Sequence, residues 1–183
     1  MEVNNKNNGF TLIEILVVIV IIMILTLVAL PYFMQAGKQF ALSRSAHKLA
    51  QDIRMVQEMS MSAKEFHGII PQGGYGVRFD ENSNTYILFA DCSNNKLYDS
   101  VGNLCNGYPE KVEEIKLERG VKVKCLFPVC WLFGEVVFTP PDPVVTIQPF
   151  PGAATLLIQI SLDTDPSKTK TITVNKAGLI EIQ

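Results

Sequence analysis

Two different rhythms of apolar residues divide this chain. From Phe10 to Leu30 twenty-one residues run almost unbroken as apolar, with Thr11, Glu14 and Thr26 as the polar exceptions. At 1.5 Å per residue such a helix spans roughly 30 Å, the hydrocarbon thickness of a bilayer. Pro31 comes next. Inside a helix it deletes the hydrogen bond to Leu27 and crowds that carbonyl, which predicts a kink rather than a stop. Beyond it Phe40, Ala46, Leu49, Ile53, Val56 and Ala63 return at helical spacing, while Lys38, Arg44, Lys48, Asp52 and Glu58 fall between them. The helix is expected to end near Phe66, with Gly68 as a C-terminal signal and Pro71 beyond, giving about 55 residues from Phe10. The stripe keeps no strict heptad, so packing against a sheet of the same chain is favoured over a coiled coil.

After Gly73 and Gly74 the period changes to two. Candidate strands lie at 75–79, 86–90, 112–117, 121–125, 135–138, 155–162, 171–174 and 179–182. Polar or glycine-bearing turns separate them at 80–84, Arg119-Gly120 and 175–178, which predicts hairpins and an antiparallel sheet. Pro140, Pro141, Pro143, Pro149 and Pro151 crowd one connection, where missing N–H donors exclude a central strand and predict an extended surface loop. The expected class is α+β: one long helix, a membrane-spanning half followed by an amphipathic half, packed on a C-terminal antiparallel β-sheet domain. The expected divisions are 1–9, 10–30, 31–67 and 68–183.

Composition sharpens this only in part. The 48% apolar content of the 183 residues is high, and the single apolar run accounts for it. Sixteen basic against eighteen acidic residues leave a formal charge of −2, and no block of like charge recommends a nucleic-acid groove or a polybasic lipid patch. Lys6 precedes the run whereas Lys38, Arg44 and Lys48 follow it, so charge does not fix the membrane orientation.

The start of the chain carries the specific signal. Met1 to Gly9 reads MEVNNKNNG, short, polar and rich in asparagine, and meets the apolar run with no small-residue cleavage site after it. That is a poor ordinary secretory signal. The junction from Gly9 to Glu14 reads GFTLIE and resembles the prepilin leader shared by type IV pilins and type II secretion pseudopilins. The resemblance implies that an aspartic prepilin peptidase cuts between Gly9 and Phe10 on the cytoplasmic side and methylates the new amine of Phe10. A glycine before the scissile bond leaves the enzyme unobstructed and the backbone extended. Glu14 would cost up to about 2.5–3.5 kcal/mol inside the membrane unless paired or interfacial. The amine at Phe10, four residues away on the same face, or a neighbouring subunit's amine could offset that cost; the resemblance implies that the neighbour's amine matters in assembly. Snorkelling of Glu14 to the headgroups is the alternative.

Further along, GYGVRFD, TYILFAD, VVFTPPD and TITVNKAGLIEI resemble the globular domain of minor pilins and pseudopilins of the GspH/FimT type. Some FimT-like members are associated with DNA uptake through a basic C-terminal tail. This chain ends GLIEIQ with no arginine there, so nucleic acid is disfavoured as a partner.

Cys92, Cys105, Cys125 and Cys130 fall in the part expected outside the cytoplasm and read first as disulfides, with three connectivities open. Local pairing, Cys92 with Cys105 and Cys125 with Cys130, is the simplest; a four-cysteine zinc site is the rival, but its spacings are loose. His47 and His67 are isolated from other ligands. No G-x-S-x-G, phosphate loop or H-E-x-x-H is present, so neither a catalytic residue, a metal nor a cofactor is assigned.

The expectation is therefore a structural subunit, minor rather than bulk, of a type IV pilus or secretion pseudopilus. Its partners would be other pilins, prepilin peptidase, the inner-membrane assembly platform and lipid. It would cross the inner membrane once with the C-terminal domain extracytoplasmic, then enter the filament. The alternative is a membrane-anchored extracytoplasmic binding domain that never polymerises, and a third reading is an extracytoplasmic metal enzyme.

Overall fold

A computed structural model describes residues 9–102, 104–127, 132–140 and 144–183. One helix, α1 (Leu12–Met61), is followed by nine strands: β1 (Gly74–Asp80), β2 (Thr85–Asp91), β3 (Lys111–Lys116), β4 (Val121–Phe127), β5 (Phe133–Thr139), β6 (Val144–Gln148), β7 (Thr155–Leu162), β8 (Thr169–Asn175) and β9 (Ile180–Ile182). The chain forms two compact units, divided after Gly37.

The first unit contains the apolar run. α1 passes position 31 without a break, so the helical continuation beyond the proline is present. From Leu12 to Val28 the large apolar side chains stay exposed on every face of the helix, and α1 is the one helix among the described residues long and apolar enough to cross a membrane. An α-helix that is greasy all round needs lipid or other helices around it.

In the second unit the same helix is amphipathic. Ala41, Leu42, Ala46, Leu49, Ala50, Ile53 and Val56 are buried. Full burial of Leu49, Ile53 and Val56 contributes about 1.5–3 kcal/mol each. The stripe differs from the expected one at both ends: Phe40 is 64% exposed and Ala63 is exposed beyond the helix. The buried face runs through 42, 46, 49, 53 and 56, and 40 lies round the helix from it.

The helix stops at Met61, short of Phe66. Ala63 adopts φ 46°, its N–H donates to Ser60 O at 3.0 Å, and Lys64 N–H donates to Met59 O at 3.0 Å. That is a Schellman ending built on alanine, with no glycine to mark it in the sequence. Gly68, the expected stop signal, serves a later turn with φ 79°.

Two sheets replace the single one expected. The larger runs β3-β2-β1-β5-β6 and the smaller β4-β7-β8-β9, every pair antiparallel. The turn at Arg119-Gly120 therefore carries the chain from one sheet to the other and is no hairpin. The turns at 80–84 and 175–178 do join paired strands. The proline-crowded connection contains β6, which pairs with β5 and buries Val145 and Ile147. Pro143 and Pro149 stand on either side of β6, so the five residues between them keep their donors; β6 lies at a sheet edge, where flanking prolines are tolerated.

α1 is tied to both sheets. Asp52 accepts from the Tyr86 hydroxyl and Ser60 donates to Phe138 O in the larger sheet. Arg54 donates to Ile180 O at 3.2 Å and Gln57 to Gly178 O at 3.4 Å in the smaller. Gly74, at φ 88°, permits the Ser60 contact, because a Cβ there would stand 1.9 Å from Phe138 O and 2.7 Å from Ser60 Oγ.

Between β2 and β3 the chain makes a long loop, and three fully buried carboxylates shape its first turn. Glu110 accepts from Cys92, Ser93 and Asp99 N–H, each at 3.0 Å. Asp91 accepts from Asn95 N–H at 3.2 Å and Lys96 N–H at 2.9 Å, and Glu135 accepts from Tyr98 N–H at 3.1 Å. Arg78 of β1 donates to Glu135 at 2.9 Å and also pairs with Asp80. Burial pushes the Glu135 carboxyl up to about 7; the Tyr98 amide and Arg78 pull the other way, and Asp80 adds to the rise. Burial likewise raises Glu110, against the pull of the Asp99 and Ser93 amides.

Because the folded value of Glu135 exceeds the ordinary 4.5, the folded chain holds more protons between these two values. Its contribution to stability is full at low pH and is lost as pH rises through about 7. In urea unfolding of a fragment beginning at Lys38, stability relative to Glu135→Gln is expected to fall by about 1–3 kcal/mol between pH 5 and 8.

Candidate functional site

The N-terminal end of α1 is where sequence and geometry meet. Gly9, Phe10 and Thr11 precede the helix, and Phe10 is 86% exposed. Among the described residues a Cβ at Gly9 would meet nothing within 4 Å, and its φ is not in the left-handed region, so neither their packing nor backbone strain requires glycine there.

Thr11 and Glu14 form a reciprocal pair. Thr11 N–H and Thr11 Oγ1–H both donate to Glu14 Oε2, at 2.9 and 2.8 Å, and Glu14 N–H donates to Thr11 Oγ1 at 3.3 Å. With Leu12 as the first helical residue, Thr11 is the N-cap and Glu14 the third helical position: a capping box. The carboxylate thus satisfies a donor that a helix start leaves orphaned, and its charge lies at the positive end of the helix dipole. The T-x-x-E spacing was the signal for this pair, and the reading of Glu14 as an isolated acid seeking an amine passed over it. Thr26, the other polar residue of the run, donates to Ile22 O at 2.7 Å and exposes no unmet donor.

The cysteines lie in the other compact unit. Cys92 and Cys105 are joined by a disulfide with Cα atoms 5.4 Å apart. Closing a loop between residues 13 apart in sequence is worth about 3 kcal/mol on loop-entropy grounds. Cys125 is also disulfide-bonded, whereas Cys130 lies outside the described residues. With the Cys92 and Cys105 sulfurs bonded to each other, the four-thiolate zinc site loses two of its ligands, and among the described residues no group of three or more His, Cys, Asp or Glu could hold a metal. His67 stacks on Tyr108 with ring centres 3.9 Å apart, beside the Asn106 Nδ2–H that donates to His67 O at 3.0 Å. His47 is exposed, its Nδ1 3.0 Å from Ser43 O.

Residues 4–30 match the family of the prokaryotic N-terminal methylation motif. Two solved structures of the type IV minor pilin FimU of Pseudomonas aeruginosa are similar to this chain. One shows 9% identity and a TM-score of 0.46 over 78% of this chain and 87% of its own. The other shows 10% identity and a TM-score of 0.45 over 78% and 92%. No curated protein sequence matches.

The capping box makes its own prediction. Thr11→Ala removes the cap and one of the two donors to Glu14, and should cost about 1 kcal/mol of local helix stability. Amide exchange of the full chain in micelles should quicken at the first turn, 12–15, and stay unchanged beyond Val20. Unchanged protection of the first turn would mean that the pair does not hold the helix start.

Proposed function

We propose that this type IV pilin-like protein is a minor subunit of a type IV pilus or of a type II secretion pseudopilus. Its N-terminal motif and apolar helix anchor it in a membrane, and a soluble C-terminal domain follows. In this reading prepilin peptidase cuts between Gly9 and Phe10 in the inner membrane and methylates Phe10. The extracytoplasmic domain then leaves the bilayer with α1 as the filament packs. Other pilins and the assembly platform are its partners, and its role is structural rather than enzymatic.

One observation carries the reading: a helix capped two residues after Gly9 exposes apolar side chains on every face from Leu12 to Val28. Such a surface is at home in lipid and equally among like helices, which suits a subunit that passes from one to the other. Among the described residues nothing requires glycine at position 9, which supports a requirement set by the peptidase. In the filament Glu14, its Oε2 held by Thr11, offers Oε1 to the amine of a neighbouring Phe10. Pro31 kinks the helix where the span ends.

Glu14→Leu tests this directly. Loss of a charge pair buried between helices should lower recovery of the subunit in sheared filaments by about tenfold or more, with unchanged amounts in the membrane. Equal recovery of the variant in filaments would refute the assembly role. A protein always found in the membrane and never in filaments, variant or not, would favour the anchored binding domain.

A further inference from the structure

The chain has no basic run, yet the fold gathers one. At the junction of α1 with the β3–β4 turn, Ser45, Lys48, Tyr86, Lys116, Leu117, Glu118 and Arg119 line a cleft of about 180 Å³. Lys48 comes from the helix, Lys116 from the end of β3 and Arg119 from the turn between the sheets. Among the described residues none of these three cations forms an ion pair. The single acid lining the cleft, Glu118, is engaged by Arg44 at 3.5 Å.

The floor is polar and buried. Ser45 is 2% exposed; its Oγ accepts from Glu118 N–H at 3.1 Å, which leaves the hydroxyl hydrogen uncommitted among the described residues. Tyr86 donates its hydroxyl hydrogen to Asp52, whose negative charge, with that of Glu113, acts on the ring from outside the cleft's lining. Three cations outside any close ion pair, of which Lys116 also acts on the Glu114 carboxylate, surround one buried free donor and favour a compact anion with several acceptor oxygens. Lysine suits a phosphate as a point charge, and arginine adds a planar fork.

We propose that this cleft binds a phosphate group, with Lys48, Lys116 and Arg119 supplying charge and the Ser45 hydroxyl a directed hydrogen bond. The group is either free phosphate or the headgroup of an anionic phospholipid. The inference does not depend on filament assembly, so it can fail while that reading stands.

The full chain in neutral detergent is heated in increasing inorganic phosphate, against chloride at the same ionic strength. Phosphate should raise the unfolding midpoint where chloride does not. In Lys48→Gln/Arg119→Gln the phosphate affinity should fall about tenfold or more, as loss of charge-assisted bonds implies. Ser45→Ala, which leaves the charge unchanged, should weaken binding several-fold, a loss that a diffuse field of lysines would not show. Native mass spectrometry with phosphatidylglycerol or phosphatidylcholine identifies the source. Selective retention of phosphatidylglycerol, lost in the double variant, assigns a lipid headgroup; a phosphate effect without lipid selectivity assigns free phosphate. No preference for phosphate over chloride together with no preference between the lipids overturns the proposal. So does a double variant, or Ser45→Ala, that binds like the parent.

Discussion

The structure depends on one helix that must be covered twice, in two different ways. In its first half α1 exposes apolar groups all round, and nothing in the chain's own described residues covers them; from Ala41 on, the same helix buries a stripe against two sheets. The change is written in composition. A run that is apolar except for Thr11, Glu14 and Thr26 gives way to a segment where Ala41, Ala46 and Ala50 are buried, small residues that let sheets approach, while Arg44 and Lys48 stay exposed. Membrane anchoring and the folding of the domain therefore share a backbone but not a surface.

Within the domain the helix acts as a common strut. Asp52 and Ser60 bond the larger sheet while Arg54 and Gln57 bond the smaller, so about two and a half turns of α1 set both. The sheets also meet directly where Asn82 and Ser83, in the β1–β2 turn, exchange backbone bonds with Val123 of β4 at 2.9 Å. Against this frame the long β2–β3 loop is held by other means, six amides on three buried carboxylates and a disulfide. A loop with few apolar side chains gains little from burial, and ionic acceptors inside the fold take its place at a desolvation cost that shows in the raised carboxyl of Glu135.

Much of the architecture was legible because its signals are local. Twenty-one apolar residues announce a span, and period-two runs such as TYILFAD announce strands. What stayed hidden was either non-local or unmarked. The helix end at Ala63 uses a conformation normally advertised by glycine. β6 lies inside a proline cluster whose members all flank it. Division into two sheets depends on how β4 leaves β3, which no residue near Arg119-Gly120 declares. Asp91 and Glu135 stand in apolar strand runs, TYILFAD and FGEVVF, so their burial follows their strands, but the amides they accept from in the β2–β3 loop are set by tertiary packing, as is the burial of Glu110. The capping box is different: Thr11 and Glu14 showed it plainly, and attention to the membrane cost of Glu14 obscured its bond to the helix start.

The central claim is that α1 begins life behind a nine-residue polar leader and works only after losing it. Mass spectrometry of the N-terminal peptide from the protein in its native membrane tests this most directly. The account predicts a peptide that starts at Phe10 and carries one added methyl group on its terminal nitrogen. A peptide that starts at Met1 or Glu2, from cells with an active prepilin peptidase, would contradict it.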